Sequence, residues 1–358
     1  MESVRLPRGP SRPWAWLDDR LGIGGLRYPV PEHANSLAYT LGGITLVSFV
    51  LLIVTGVYLA QFYDPTPARA HASVAYISDT AFAGALIRSL HYWLASAFVI
   101  TLVLHMVRTF ATGAFKAPRE FTWITGVILF LLAAGLLFSG TVLKQDQEAV
   151  EALAHNNEIA DTFGFLGFWF SADFTDNVST VTRLYVAHVS ILPILVGAVL
   201  AVHVLLIKRH RMAPLPWGSA AEVEARERAE HDEPFTSHLK HIGKWALVLV
   251  GIALLLSGLA PAGLGPAGVE GIEITKPPWY FLWLYPWEDW LGLKALYIIP
   301  AVLTVGLLAI PFLDRSRERD PRRRKLWIAL GALVLLAWLG LTIYGAITVP
   351  VSHTGMGE

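Results

Sequence analysis

Seven long apolar runs punctuate the chain, at about 37–62, 81–110, 121–143, 182–207, 242–260, 293–312 and 326–350. They are 19 to 30 residues long. A helix of about 20 apolar residues crosses the hydrocarbon core of a bilayer, and longer runs fit by tilting or projecting beyond it. The pattern therefore predicts seven membrane-spanning helices. They fall into a group of four (37–207) and a group of three (242–350), joined by an Arg/Glu-rich linker at 208–241 and flanked by a polar arm at 1–36 and a tail at 351–358. In the arm, Trp14, Trp16, Leu17 and Leu21 have the spacing of a short helix, one that lies flat at the interface or an ordinary packed one. No signal peptide is expected, because no apolar core directly follows the basic start.

The polar segments give the orientation. Of the 28 Lys and Arg residues, 22 lie in alternate segments, 1–36, 108–120, 207–244 and 314–325; Arg69, Arg88, Lys144, Arg183, Lys276 and Lys294 lie on the other side. Positive charge favours the inner face. This predicts a multi-pass protein of the cytoplasmic membrane, with its N-terminus inside and its C-terminus outside.

Histidines supply the candidate chemistry. His91 and His105 stand 14 residues apart in the second run, and His188 and His203 stand 15 apart in the fourth. A 14-residue step returns to nearly the same helix face about 21 Å further on. Pro193 offers a local distortion that would absorb the extra residue of the second step. Both runs cross in the same direction, so His91 and His188 share the outer level while His105 and His203 share the inner one. A lone histidine in an apolar helix is often satisfied by a neighbour, but four at matched spacings point to two metal centres, each clamped from both faces. Neutral imidazole is a standard haem ligand, and filling both axial positions suits electron transfer. The expected fold class is an all-α integral membrane protein whose first four spans form a bundle around two stacked, non-covalent b haems, followed by three more spans.

Glycines repeat the same step: Gly42 and Gly56 in the first run, Gly126 and Gly140 in the third. A missing side chain admits a flat macrocycle; close packing of helices is the alternative. Arg88, Arg108 and Arg183, just beyond the histidines, are candidates to pair with haem propionates or to reach the headgroups. Composition is consistent with a membrane protein: 54% hydrophobic, 16% charged, zero formal net charge and no basic excess to suggest nucleic acid. With no cysteine, the chain itself has no thiolate cluster, disulfide or thioether-attached haem.

Particular motifs carry a family likeness. They are Leu-Gly-Gly-Ile-Thr-Leu (41–46), Thr55-Gly56, Phe-Tyr-Asp-Pro-Thr-Pro (62–67), Ala-Ser-Val-Ala-Tyr-Ile (72–77), Ile87-Arg88-Ser89-Leu90-His91, Lys-Ala-Pro-Arg-Glu-Phe-Thr-Trp (116–123) and Thr-Arg-Leu-Tyr-Val-Ala-His (182–188). In these the chain resembles cytochrome b of the cytochrome bc family, and most closely the plastid-type bf complex and its bacterial relatives. The first four helices resemble the short haem-carrying cytochrome b of that complex. The last three resemble its small companion subunit, here fused behind the linker. Pro277-Pro278-Trp279-Tyr280 resembles the family's quinol-oxidation signature, Pro-Glu-Trp-Tyr or Pro-Asp-Trp-Tyr.

The resemblance implies a quinol:cytochrome c oxidoreductase subunit. Quinol would be oxidised near the outer face, giving one electron to a separate Rieske iron–sulfur protein and a cytochrome c type acceptor. The other would pass through both haems to a quinone near the inner face, with protons released outside. It also implies a homodimeric complex. Three departures stand out. Pro278 replaces the signature carboxylate, so another proton acceptor is needed; Glu273, Asp146, Glu148, Glu151 and His155 are the candidates. Lys144-Gln145-Asp146-Gln147 replaces a family Pro-Trp-Gly-Gln or Pro-Trp-Asp-Gln motif. Thr40 stands where bf complexes have a haem-attaching cysteine, so no covalent haem is expected. Asp18, Asp19, Lys208 and Arg209 are on the side of the inner quinone site. Competing readings are a non-bifurcating dihaem anchor for a partner oxidoreductase, and a haem-free transporter or structural subunit with histidines on a proton path.

Overall fold

The apolar runs form helices because nothing in a bilayer other than the chain itself can satisfy their backbone groups. In the computed structural model, which describes residues 28–351 together with Trp16 and Arg20, seven helices are long and apolar enough to span a membrane. They are α1 (Leu37–Ala60), α3 (Gly84–Ala111), α4 (Glu120–Val142), α6 (Thr180–His210), α8 (Phe235–Leu259), α10 (Ala295–Leu313) and α11 (Lys325–Ile347). Outside them lie α2 (Pro67–Asp79), α5 (Gln147–Thr162), α7 (Ala220–Ala229) and α9 (Tyr285–Leu291). The anticipated interfacial helix of the N-terminal arm falls, apart from Trp16 and Arg20, outside the described residues.

The described part is nearly all helical, with one two-stranded ribbon. Strand β1 (Pro29–Pro31) pairs antiparallel with β2 (Asp232–Pro234), in register Val30 to Glu233. Nearby, His33 Nδ1 lies 2.6 Å from Glu230 Oε1 and Asn35 donates to Glu233 at 2.8 Å. The 208–241 segment is thus strapped to the start of the bundle. Helix α8 begins earlier than hydropathy alone suggests. Its polar first turns continue in helical form beyond the apolar run, with Phe235 stacked on Tyr28 at 4.7 Å and His238 buried.

Two helix pairs build the first half: α1 packs along α3, and α4 along α6. Helices α3 and α6 scarcely approach each other in backbone, which leaves a slot between the pairs. The buried cluster Phe49, Phe98, Ala133 and Val196 closes its middle. Phe49 lies seven residues from Gly42 and from Gly56; Phe98 is equally placed between His91 and His105, and Ala133 between Gly126 and Gly140. An apolar plug therefore separates two chemically equivalent levels.

The last three spans lean on this bundle. Helix α8 packs against α1 and α3, where Ile242 fills the space over Gly43, and Trp123 of α4 donates to the Leu307 carbonyl of α10 at 2.7 Å. Between the two groups Lys116 Nζ lies 2.6 Å from Asp314 Oδ1, and Arg324 donates to Asp314 Oδ2 from Nε at 2.9 Å. All three side chains are buried.

Candidate functional site

The four histidines face the slot at two levels. At the outer level, the rings of His91 on α3 and His188 on α6 have centroids 6.5 Å apart. An imidazole nitrogen binds a first-row metal at about 2 Å, so the gap accommodates one ion held from both sides. Helix α6 is locally π-helical over Ala187–Ile191, ahead of Pro193. A π-turn takes up one extra residue, which is how a 15-residue step on α6 serves the same function as the 14-residue step on α3.

Hydroxyl groups fix three of the rings. Thr55 Oγ1 donates to the Leu51 carbonyl at 2.8 Å, so towards His91 Nδ1, 2.9 Å away, it accepts. Nδ1 then carries the proton and Nε2 presents a lone pair. Thr125 does the same for His203, donating to Phe121 O and accepting from Nδ1 at 2.9 Å. Ser139 donates to Gly135 O and accepts from His188 Nδ1 at 3.0 Å. Orienting a metal-binding imidazole through its other nitrogen is the usual supporting arrangement for such a ligand. Sequence reasoning missed these residues. Their signal is a hydroxyl immediately before a glycine in Thr55-Gly56, Thr125-Gly126 and Ser139-Gly140.

The glycines lie against the rings. A Cβ at Gly42 would sit 2.9 Å from His105 Cε1, and one at Gly140 2.9 Å from His188 Cε1; at Gly56 and Gly126 the distance to His91 and His203 Cε1 is 3.4 Å. Two imidazoles with Nε2 free, walls without side chains and an apolar plug between the levels together fit bis-histidine haem. The flanking arginines are less alike than their positions suggest. Arg88 donates to the carbonyls of Ala262 and Gly263, and Arg183 to those of Trp169 and Ser171. Arg108 stacks over the Tyr39 ring at 3.4 Å, and its buried Nε has no hydrogen-bond partner. Thr40 is fully buried and its hydroxyl donates to Leu37 O. Lys208 lies over the Tyr28 ring, Arg209 is exposed, and Asp18 and Asp19 lie outside the described residues.

At the His91 and His188 end of the bundle the Pro-Pro-Trp-Tyr turn wedges between spans. Trp279 Nε1 donates to Ser96 Oγ of α3 at 3.3 Å, and Tyr280 OH lies 3.3 Å from Thr141 Oγ1 at the end of α4. Burial pushes the Tyr280 phenol up to about 12. The Pro278 carbonyl accepts the amides of Phe281 and Leu282.

Helix α5 carries most of the titratable candidates. Asp146 caps it, accepting Ala149 N at 3.1 Å, and also accepts Gly265 N at 3.3 Å and lies 3.2 Å from Lys144 Nζ. Glu151 accepts the amides of Ile274 and Thr275, the Thr275 hydroxyl and Gln147 Nε2, so it anchors the loop that leads into the Pro-Pro-Trp-Tyr turn. Glu148 Oε2 accepts from Lys144 at 2.7 Å, while its buried Oε1 has no hydrogen-bond partner. Burial raises the Glu148 carboxyl above its ordinary range despite the Lys144 charge.

His155 joins α5 to two acidic residues. Its Nδ1 donates to Glu151 O at 2.7 Å, and Nε2 lies 3.0 Å from Glu288 Oε1 and 3.5 Å from Glu273 Oε1. Burial opposes the charged ring, but the Glu288 contact, the Glu151 carbonyl and Glu273 outweigh it and lift the pKa to about 9. A raised folded-state pKa contributes stability that is fully present below the ordinary histidine value and is lost as pH rises through about 9. Thermal stability should therefore fall between about pH 6.5 and 9, and His155→Gln should remove that slope in melting curves recorded across the interval.

The family model described as Cytochrome b/b6/petB matches residues 26–211. Cytochrome b6 of Heliobacterium mobile is 38% identical over 203 residues, covering 54% of this chain and 95% of that protein. Cytochrome b6 of Heliobacterium modesticaldum is 37% identical over the same extent, and that of Heliomicrobium gestii 35%. A chain from the solved structure of a hyperthermophilic respiratory Complex III superposes with a TM-score of 0.77 at 24% identity, over 93% of this chain and 91% of the other. That superposition extends the likeness in fold through the last three spans.

Proposed function

The chain belongs to the cytochrome b/b6 family, and from that membership we propose that it is the dihaem cytochrome b subunit of a bc-type quinol:cytochrome c oxidoreductase. Members of this family carry b-type haem. In this reading His91 and His188 hold the outer iron, His105 and His203 hold the inner one, and Gly42, Gly56, Gly126 and Gly140 line the two pockets. Residues 37–207 form the haem domain, and 242–350 form a fused domain akin to the companion subunit. The observation that carries the reading is the outer pair: opposed rings 6.5 Å apart, with a tautomer set by Thr55 and Ser139.

When bound between these histidines, haem would supply reversible one-electron transfer. The chain's own residues do the rest. Thr55, Thr125 and Ser139 hold the imidazole protons at Nδ1, and the Phe49 and Phe98 plug keeps water from the space between the levels. Arg108, with a buried donor to spare, is the best placed of the three arginines to pair with a propionate. Trp279 and Tyr280 fix the loop that faces quinol at the outer side, and electrons are delivered to quinone near the inner side. With no cysteine in the chain, the Rieske cluster belongs to a partner subunit, as does the cytochrome c type acceptor. The complex is a homodimer in the cytoplasmic membrane, with the N-terminus of this chain inside.

A dithionite-minus-ferricyanide spectrum with a pyridine haemochrome count should give two b haems per chain. His203→Ala should leave the outer haem alone, and acid–acetone should extract all haem from the polypeptide. Two haems retained in His203→Ala would refute the pairing, and a haem-free wild-type chain would refute the function.

A further inference from the structure

We infer that Glu148, at the start of α5, is the proton acceptor for quinol oxidation, in place of the carboxylate missing at Pro278. The inference rests on the quinol-oxidising reading above and assigns a residue to that same site. Five groups near the loop could take a proton, and their surroundings separate them. Both Asp146 oxygens receive backbone amides, and Lys144 pairs with it as well. Glu151 receives four donors and holds the loop backbone. His155 and Glu273 belong to the ion-paired group completed by Glu288. Of the five, Glu148 alone combines one oxygen held in place, by Lys144, with a second that is buried and without a donor.

Its position suits the task. Thr141, which meets the Tyr280 hydroxyl, ends the span from which a short turn leads to Lys144 and α5. Glu148 is near enough to the signature loop for its charge to bear on the Tyr280 phenol, the residue two places after Pro278. The charged groups bearing on Glu148 are Lys144 from the turn, Asp146 at the helix cap and Glu151 from its own helix, and the Glu148 charge in turn bears on the Tyr280 phenol of the loop. Burial raises its pKa, which moves a carboxylate towards the range in which a general base works best near neutral pH.

The step balances simply. Oxidation of a quinol to a quinone breaks two O–H bonds and releases two protons and two electrons. Glu148 Oε1 accepts a proton from the hydroxyl turned towards it and returns it to outside water; the second proton leaves to water directly. The electrons go to two one-electron acceptors, an iron–sulfur partner protein and b-type haem.

The test uses the purified complex, with menadiol as quinol and haem reduction followed by stopped flow. Glu148→Gln should slow haem reduction by roughly 100-fold, within the span expected for loss of a general base, while haem content and spectra stay those of the wild type. Glu148→Asp should keep part of the rate. Adding Pro278→Glu to Glu148→Gln should restore most of it, because the family's carboxylate position is then filled. The wild-type rate should rise with pH as the carboxylate ionises, and that limb should be absent from Glu148→Gln. A Glu148→Gln complex with the wild-type rate and pH profile would overturn the inference. So would a slow variant that neither the aspartate nor Pro278→Glu improves, since Glu148 would then be structural. A wild-type complex whose haem menadiol cannot reduce would overturn the quinol reading itself, and the assignment with it.

Discussion

On the proposed dihaem reading, a Gly140→Val chain is expected to fold and to carry one b-type haem instead of two. A Cβ at this position would lie 2.9 Å from His188 Cε1 and 3.6 Å from its Nε2, so the first added carbon already overlaps the ring and the branched methyls overlap it further. The ring cannot simply rotate away, because Nδ1 is held by Ser139 Oγ and also lies 3.1 Å from the Leu136 carbonyl. Moving it either strands that buried N–H or turns Nε2 out of line with His91. Interiors yield poorly to such insertions. Gly42→Val should act in the same way on His105, where the Cβ distance is again 2.9 Å, and should remove the inner haem. Alanine at Gly56 or Gly126 meets its histidine at 3.4 Å, a gap that a small ring shift relieves, so both haems should remain with altered midpoint potentials. Gly197→Ala on α6 has open space around it and serves as the control. The pyridine haemochrome count separates the cases. Two haems with wild-type spectra in Gly140→Val would mean that the slot is wider in the assembled protein than the glycine contacts imply.

Why one level can empty without the other follows from the plug. Phe49 and Phe98 pack at 6.1 Å midway between the two histidine levels, with Ala133 and Val196 completing the cluster. The bundle thus has an apolar core of its own between the two histidine levels. The spacing of the histidines and glycines was readable from the sequence because a helix converts 14 residues into a fixed rotation and rise. The plug follows from the same periodicity, at half the step, and could have been read the same way.

Other features depend on contacts between distant parts of the chain, which periodicity does not report. The hydroxyls at Thr55, Thr125 and Ser139 look like ordinary small residues of membrane helices until the rings of other helices meet them. The Arg/Glu-rich composition of 208–241 signals only solvent exposure, whereas its pairing with β1 through Val30 and Glu233 depends on where residues 29–31 end up. Arg88 and Arg183, whose place at helix ends suited either propionates or headgroups, each also donate to two backbone carbonyls of loops. Only the folded loops could reveal those partners. Among the candidate bases, residue type made all five alike; the hydrogen-bond inventory of each oxygen distinguishes them.

Asp314→Ala is expected to destabilise the protein by about 3–5 kcal/mol, the range for breaking a buried ion pair from one side. Asp314 is the single carboxylate between two cations: Lys116 Nζ at 2.6 Å from Oδ1, and Arg324 Nη2 at 2.8 Å from Oδ2. The side chains of Lys116, Asp314 and Arg324 are 5%, 2% and 2% exposed, so water cannot replace the lost partner. Arg324 also donates to the Phe110 and Ala111 carbonyls, and Lys116 to Ser316, which ties both cations in place and prevents them from swinging out. Although burial by itself would raise the Asp314 carboxyl, Lys116 and Arg324 hold it below the usual aspartate range. Its contribution is therefore present above that range and is lost as acid protonates it. Lys116 lies between α3 and α4, whereas Asp314 and Arg324 lie between α10 and α11, so the cost falls on the joint between the four-span and three-span groups. Melting of Asp314→Ala in detergent should therefore show the last three spans loosening first, as protease nicking at 208–241, before the haem spectrum is lost. Lys116→Met with Asp314→Leu retains Arg324 alone and should remain unstable. Replacing all three by apolar residues of similar volume should recover most of the loss, because the unpaired charge is the source of the cost. An Asp314→Ala protein that melts with the wild type would show that the joint between the two groups does not depend on this buried ion-paired group.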